Sequence, residues 1–242
     1  MFFGNREVFP VTGIFKHLEE EATFPCRLSL EDGLVLAGVT AGTVTCLLLD
    51  DKVRAGVKSL SNPMLDSLQN FDIMGDGFFT LGLSGGFYLL GGEKEKKVCC
   101  LLLESFIETG LIVTVLKAGF GRRRPDSGFG QEAFNIITAS NDSFPSGHAA
   151  TAFSAATVLA RAYDVGWVTY PLAAGVSFFR MYKEKHWLSD VFLGSVLGVV
   201  IGNMHGLEKQ ASVTNLSFSL ETAGKDSGAK EPDLFYTMTL KF

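Results

Sequence analysis

The feature that most restricts the fold of this 242-residue chain is a series of six apolar stretches that carry very few charges. They cover approximately residues 33–49, 76–92, 98–117, 147–163, 166–181 and 187–206. Apolar stretches of this kind predict helices, and the third approaches the roughly 20 residues that a membrane-spanning helix needs. The pattern predicts an all-α, six-helix bundle, either embedded in a membrane or folded as a soluble bundle.

Composition and charge layout favour the membrane. Charged residues make up 19% of the chain, against about 25% in ordinary soluble domains. If the N-terminus is inside, the three lysines of segment 93–97 are inside too, as the positive-inside tendency expects. Lys117, the loop 118–146 and the turn 181–187 then share the outer side. The net charge of −5 argues against nucleic acid as a partner.

The two ends of the chain differ from its apolar centre. Residues 1–32 are polar, and we expect a loop or surface helix there without a secretory signal. The first apolar helix then inserts the chain, or this sequence begins after the start of the precursor. Segments 213–220 and 234–242 are rich in Thr and aromatic residues, which predicts a short β-hairpin-like tail. We expect three regions: a polar segment at 1–32, a helical domain at 33–210 and a tail at 211–242.

Three short polar clusters lie at the edges of the apolar stretches. In chain order they are Lys117 to Arg124-Pro125, then Pro145-Ser146-Gly147-His148, then Arg180 through His186 to Asp190. His186 and Asp190 are one helical turn apart and share a face. The carboxylate can therefore accept from one ring nitrogen and leave the other free as a nucleophile. Taken alone, this cluster better fits a surface His–Asp pair at the start of a helix.

The other two clusters suit an anion. Ser146 and Gly147 begin a helix, where free backbone N–H groups bind anions, and His148 could protonate a leaving oxygen. Lys117 supplies a point charge, and Arg124 supplies a planar fork for phosphate oxygens. The alternatives are a plain helix N-cap for the second cluster, and for the first a cationic loop that binds anionic lipid headgroups.

Together, Lys-x6-Arg-Pro, Pro-Ser-Gly-His and Arg-x5-His-x3-Asp, in this order, resemble the three-part signature of the type 2 phosphatidic acid phosphatase superfamily. The resemblance covers about residues 75–206. The superfamily includes lipid phosphate phosphatases, bacterial class A acid phosphatases and vanadium haloperoxidases. The chain departs from the usual pattern at Phe179, because the family usually has Ser directly before the arginine of the third motif.

The resemblance implies a phosphatase that forms a phosphohistidine and uses neither a metal nor a cofactor. His186 would attack phosphorus, Asp190 would orient it, and His148 would protonate the leaving group and then activate water. Five residues would hold the phosphate oxygens: Lys117, Arg124, Ser146, Gly147 and Arg180.

We therefore expect a membrane enzyme, with its active site on the outer face, that hydrolyses a phosphomonoester or diphosphate of a lipid or small phosphate ester. Three alternatives stay open. They are a soluble periplasmic acid phosphatase, a vanadate-dependent haloperoxidase, and a non-catalytic membrane protein that binds anionic lipid through its cationic loop. The sequence leaves the individual substrate and the oligomeric state undetermined.

Overall fold

The computed structural model describes residues 30–60, 62–135 and 141–205. Their α-helices are α1 (Leu30–Ser59), α2 (Pro63–Leu68), α3 (Gly77–Leu90), α4 (Glu93–Phe120), α5 (Gly147–Tyr163), α6 (Gly166–Tyr182) and α7 (Leu188–Met204). Two 3₁₀ helices cover Gln69–Gly75 and Pro125–Ser127. Within these residues, β structure is confined to one antiparallel bridge between Arg122 and Phe134.

The all-α prediction is confirmed, and the six long helices coincide with the six apolar stretches. One difference is that the polar segment 93–97, interpreted as a connection, forms the first turn of α4. This turn is stable because the Glu95 side chain accepts a hydrogen bond from the Gly92 N–H at 2.9 Å. The predicted N-terminal segment lies almost entirely outside the described residues, and the predicted tail lies wholly outside them.

A second difference is the short helix α2, which no apolar stretch indicates. Asn62 caps it, because its side-chain oxygen accepts from the N–H groups of Met64 and Leu65 at 3.0 Å each. Pro63 stands at the first helical position, where its missing N–H costs nothing. Capping and proline chemistry therefore start this helix, and the 3₁₀ turn Gln69–Gly75 continues it.

Two helices, α1 and α4, are long and apolar enough to cross a membrane, with 30 and 28 residues. The segment Pro63–Gly75 and helix α3 pass the same test as a pair, with a bend of 64° between them. In α1 only Thr43 and Asp50 are buried. The remaining, largely apolar surface of α1 is open, as expected for a helix that faces lipid.

Helix α5 lies at the centre and packs against α4, α6 and α7. Three glycines recur every four residues on the face of α7 that meets α5: Gly194, Gly198 and Gly202. A Cβ atom at any of them would lie 2.3 to 2.7 Å from a backbone oxygen of residues 146–154. The absence of side chains therefore lets the two backbones touch. This contact brings the start of α7 against the start of α5, where the Ser146 N–H donates to the Asp190 carbonyl at 2.9 Å.

Candidate active site

His186 lies in the turn between α6 and α7 and is only 3% exposed. Its Nδ1 is 2.8 Å from the main-chain carbonyl oxygen of Ser143 and 3.6 Å from Asp190 Oδ2. A carbonyl oxygen can only accept, so Nδ1 carries the proton and Nε2 keeps its lone pair. This tautomer is the one that the expected nucleophilic role of His186 requires. The tautomer of His186 is set by the Ser143 carbonyl rather than by a direct hydrogen bond to Asp190.

Asp190 is fully buried and is held by three donors. The Ser143 hydroxyl donates to Oδ2 at 2.5 Å, the Trp187 N–H donates to Oδ2 at 2.8 Å, and Arg122 Nη1 donates to Oδ1 at 2.6 Å. Ser143 therefore contacts both groups, the carboxylate through its hydroxyl and the imidazole through its carbonyl. This arrangement fixes the carboxylate beside His186, where its negative charge stabilises a cationic imidazole.

The three cations of the motifs come from three separate elements. Lys117 lies near the end of α4, Arg124 precedes the 3₁₀ helix Pro125–Ser127, and Arg180 lies near the end of α6. The Nε atoms of Arg124 and Arg180 are buried, and neither has a hydrogen-bond partner within the described parts of the chain. Because an unpaired buried donor is costly, both atoms indicate room for an acceptor such as a phosphate oxygen.

The second motif forms the start of α5. Ser146 is the N-cap, and its hydroxyl oxygen accepts from the Ala149 N–H at 3.4 Å. A Cβ atom at Gly147 would lie 3.9 Å from Lys117 Nζ, so the lysine of the first motif lies against this helix start. His148 lies in the first turn, close enough to Arg180 and His186 for electrostatic interaction. Asp190 thus lies beside His186 and accepts a hydrogen bond from Ser146 through its carbonyl. Lys117 lies beside Gly147, the residue after Ser146.

Charge at the site favours a neutral nucleophile. Burial lowers the pKa of His186, and the positive charges of Arg180 and Lys117 lower it further, while Asp190 opposes the shift. The imidazole of His186 is therefore neutral at pH values where an ordinary histidine begins to protonate. A neutral ring is the form that can attack phosphorus.

Asp142 was not predicted, and its carboxylate lies between the two cations of the first motif, Arg124 and Lys117. Arg124 Nη2 donates to its Oδ2 at 2.7 Å, and Lys117 Nζ is 3.9 Å from the same oxygen. Burial would raise the pKa of Asp142, but Arg124 and Lys117 outweigh burial and lower it. An ionised carboxylate therefore lies against two of the cations expected to bind phosphate, only three residues before Pro145.

Asp72, in the 3₁₀ helix Gln69–Gly75, was also not predicted. It is 5% exposed and accepts from Arg180 Nη1 and Lys183 Nζ at 2.8 Å each. The same 3₁₀ helix lies close to α5, because a Cβ atom at Gly75 would be 2.6 Å from the His148 carbonyl oxygen. Nothing in the sequence near Asp72 connects it with a motif more than 100 residues away. Among the described residues, no group of three or more His, Cys, Asp or Glu residues could hold a metal ion.

Comparison with known proteins finds similar phosphatases. Residues 98–207 match the sequence model of the PAP2 superfamily. A lipid A 1-phosphatase of Porphyromonas gingivalis is 36% identical over 100 residues, which are 39% of this chain and 20% of that protein. A lipid A 1-phosphatase of Rhizobium etli is 32% identical over 127 residues, which are 47% of this chain and 54% of that protein. The chain thus spans about a fifth and about half of the lengths of these relatives.

Two solved structures share the fold. The crystal structure of Aquifex aeolicus LpxE is similar with a TM-score of 0.54 and 26% identity, covering 65% of this chain and 94% of that one. The crystal structure of a transmembrane PAP2-type phosphatidylglycerolphosphate phosphatase from Bacillus subtilis has a TM-score of 0.57 and 20% identity, covering 76% and 98%. The second of these structures is of a transmembrane protein, and helices α1 and α4 of this chain are long and apolar enough to span a membrane.

Proposed function

We propose that this chain, which belongs to the PAP2 superfamily through residues 98–207, is a membrane phosphatase that hydrolyses a lipid-linked phosphate through a phosphohistidine at His186. The observation that carries the proposal is the buried imidazole of His186. Its Nδ1 donates to a main-chain carbonyl, so its Nε2 lone pair is free beside the cations Lys117 and Arg180.

The proposed reaction has two steps that share one acid–base group. In the first, His186 Nε2 bonds to phosphorus, the bond to the leaving oxygen breaks, and His148 gives that oxygen a proton. Burial and the charge of Arg180 lower the pKa of His148 to about 4, and the negative charge of a bound phosphate raises it again, so we propose that His148 holds its proton only in the substrate complex. In the second, His148 takes a proton from water, the hydroxide attacks phosphorus, and the N–P bond breaks to release inorganic phosphate. Asp190 stabilises the cationic phosphorylated ring between the two steps.

Side-chain cations and the start of α5 would hold the phosphate. Arg124 and Arg180 each offer a buried Nε without a partner among the described residues, and Lys117 lies against Gly147. Ser146 donates its hydroxyl proton, and the Gly147 amide lies at the positive end of the α5 dipole. Because three cations already balance the charge of a phosphate, we propose that hydrolysis needs no divalent metal.

The substrate we propose is a phosphorylated lipid, and a lipid A 1-phosphate is the first to test. Two observations support this choice: the membrane setting of the helices, and the names of the two curated relatives. We also propose that the site opens on the outer face, because Lys94, Lys96 and Lys97 lie at the opposite end of α4 from Lys117.

The decisive experiment is trapping of the phosphoenzyme in detergent with ³²P-labelled lipid substrate, followed by rapid quench and acid treatment. The wild type should give an acid-labile ³²P label, insensitive to EDTA, and His186→Ala should give none. The matched control is Lys185→Ala, because Lys185 is the neighbouring residue and pairs with Asp126 outside the phosphate site. Turnover without any labelled protein, or activity that EDTA abolishes and magnesium restores, would contradict the mechanism.

Sidedness is tested separately with single cysteines placed in a variant that lacks the four native ones. A membrane-impermeant maleimide added to intact cells should label Asp126→Cys, which lies on the site side, and should spare Lys96→Cys. The reverse labelling would place the site on the inner face.

A further inference from the structure

A buried ion network connects the candidate nucleophile with helix α1. Arg122 is fully buried, and its guanidinium bridges two carboxylates. Nη1 donates to Asp190 at 2.6 Å, and Nη2 donates to Asp50 of α1 at 2.7 Å. Arg122 therefore does not join the cationic surface that the sequence suggested for this loop.

Asp50 is fully engaged in this network. Its Oδ1 accepts from the Ser189 N–H at 2.9 Å, and its Oδ2 accepts from the Ser189 hydroxyl at 2.6 Å as well as from Arg122. Ser189 directly precedes Asp190, so Asp50 holds the first turn of α7 through both backbone and side chain. A carboxylate at 1% exposure, on a helix whose apolar surface is otherwise open, is costly unless it is paired.

The charges of the network explain why a second carboxylate is useful. With Arg122 as its only ionic partner, Asp190 would form a neutral pair and offer little net negative charge to His186. With Asp50 also bound to Arg122, the three groups carry a net charge of −1, and that charge remains beside the imidazole. Arg122 also fixes the orientation of Asp190, because one Nη group of its planar guanidinium binds Asp190 and the other binds Asp50.

We propose that Asp50 and Arg122 are positioning residues for His186 and Asp190, so that α1 belongs to the catalytic unit although it lies outside the matched residues 98–207. Asp50 acts through Arg122 and Ser189, which hold Asp190, and touches no substrate. The inference rests on the proposed phosphohistidine mechanism, in which Asp190 stabilises the cationic ring.

The test compares Asp50→Asn with Asp51→Asn, the same change at the next residue, whose side chain is exposed. Both are measured for the rate of phosphoenzyme formation, for kcat and KM, and for the melting temperature in detergent. Asp50→Asn should slow phosphoenzyme formation by about 10- to 100-fold, as expected for loss of one charge-assisted hydrogen bond, with KM nearly unchanged. Asp51→Asn should behave as the wild type.

A double-mutant cycle separates positioning from a merely structural role. In an Asp190→Asn background, Asp50→Asn should slow the residual phosphoenzyme formation by less than about threefold, because its target is already gone. If the loss in that background equals the loss in the wild type, the inference is overturned. It is also overturned if Asp50→Asn forms phosphoenzyme at the wild-type rate.

A second variant decides the question if Asp50→Asn fails to fold. Ser189→Ala removes the hydroxyl that contacts both Asp50 and Arg122 but keeps every charge. Slower phosphoenzyme formation in Ser189→Ala supports the inference, and a wild-type rate overturns it. Failure of the proposed function looks different, because then neither the wild type nor Asp51→Asn would form any phosphoenzyme.

Discussion

Asp142 should weaken phosphate binding, and replacing it with Asn should strengthen that binding. Its carboxylate is 2.7 Å from Arg124 and 3.9 Å from Lys117, so an entering phosphate must compete with it for both cations. Asn has nearly the same shape but no charge. We therefore expect Asp142→Asn to lower the KM for substrate and the inhibition constant for inorganic phosphate.

The size of the expected change in the inhibition constant follows from the exposure of the Arg124–Asp142 ion pair. The side chains of Arg124 and Asp142 are 32% and 45% exposed, so water screens their attraction. Exposed ion pairs of this kind contribute about 0.2–1 kcal/mol. Because 1.4 kcal/mol corresponds to a tenfold change in binding, the inhibition constant should fall by about 1.4- to fivefold. Direct repulsion between the carboxylate and phosphate acts in the same direction.

The effect of Asp142→Asn on phosphate binding should depend on pH. Arg124 and Lys117 hold the pKa of Asp142 below its ordinary value, so the carboxylate is ionised at neutral and mildly acidic pH. The difference between Asp142→Asn and the wild type should therefore persist there. It should disappear only when the pH falls through the lowered pKa and the carboxylate takes up a proton. High salt should also reduce the difference, because both side chains are partly exposed.

The assay is competitive inhibition by inorganic phosphate in detergent, measured for the wild type, Asp142→Asn and Asp126→Asn. Asp126 is the matched control, because it forms a similarly exposed ion pair with Lys185 but contacts none of the phosphate-binding cations. Asp126→Asn should leave the inhibition constant unchanged. An inhibition constant that rises in Asp142→Asn would refute the reasoning, because Asp142 would then support the anion site and not compete with phosphate for it.

Three further outcomes follow from other contacts. Ser143→Ala removes one hydrogen bond to the carboxylate beside the nucleophile but keeps the carbonyl, so phosphoenzyme formation should slow by about 10- to 100-fold with little change in KM. His148→Ala should still form phosphoenzyme from p-nitrophenyl phosphate, whose leaving group needs no proton, and the label should then persist in a rapid-quench time course. Glu108→Gln should destabilise the protein by about 3 kcal/mol, seen as a lower melting temperature in detergent, because Glu108 is buried and 2.6 Å from His205 Nε2. We expect the low end of the range for broken buried pairs because Glu104 lies 3.5 Å from the same imidazole.

Local pattern alone was enough for the helices and for the resemblance to the PAP2 superfamily, whose sequence model matches residues 98–207. The apolar stretches predicted six long helices because burial and lipid exposure both demand uninterrupted apolar residues, and this demand is visible residue by residue. The three motifs could be recognised because the functional side chains of each motif lie within a few residues of one another, as in Pro145-Ser146-Gly147-His148. Helix α2 was not predicted, because it begins with capping by Asn62 and shows no apolar periodicity.

The partners of the motif residues were decided only by the tertiary structure. Asp50, Asp72 and Asp142 reach the site from an apolar helix, a 3₁₀ turn and a loop. No spacing in the sequence connects these carboxylates with the cations that they meet. The tautomer of His186 likewise depends on a carbonyl 43 residues away, because Ser143 comes beside it only when α5 and α7 pack through their glycine contact. A sequence shows which groups can carry charge, whereas the fold decides which of those charges face one another.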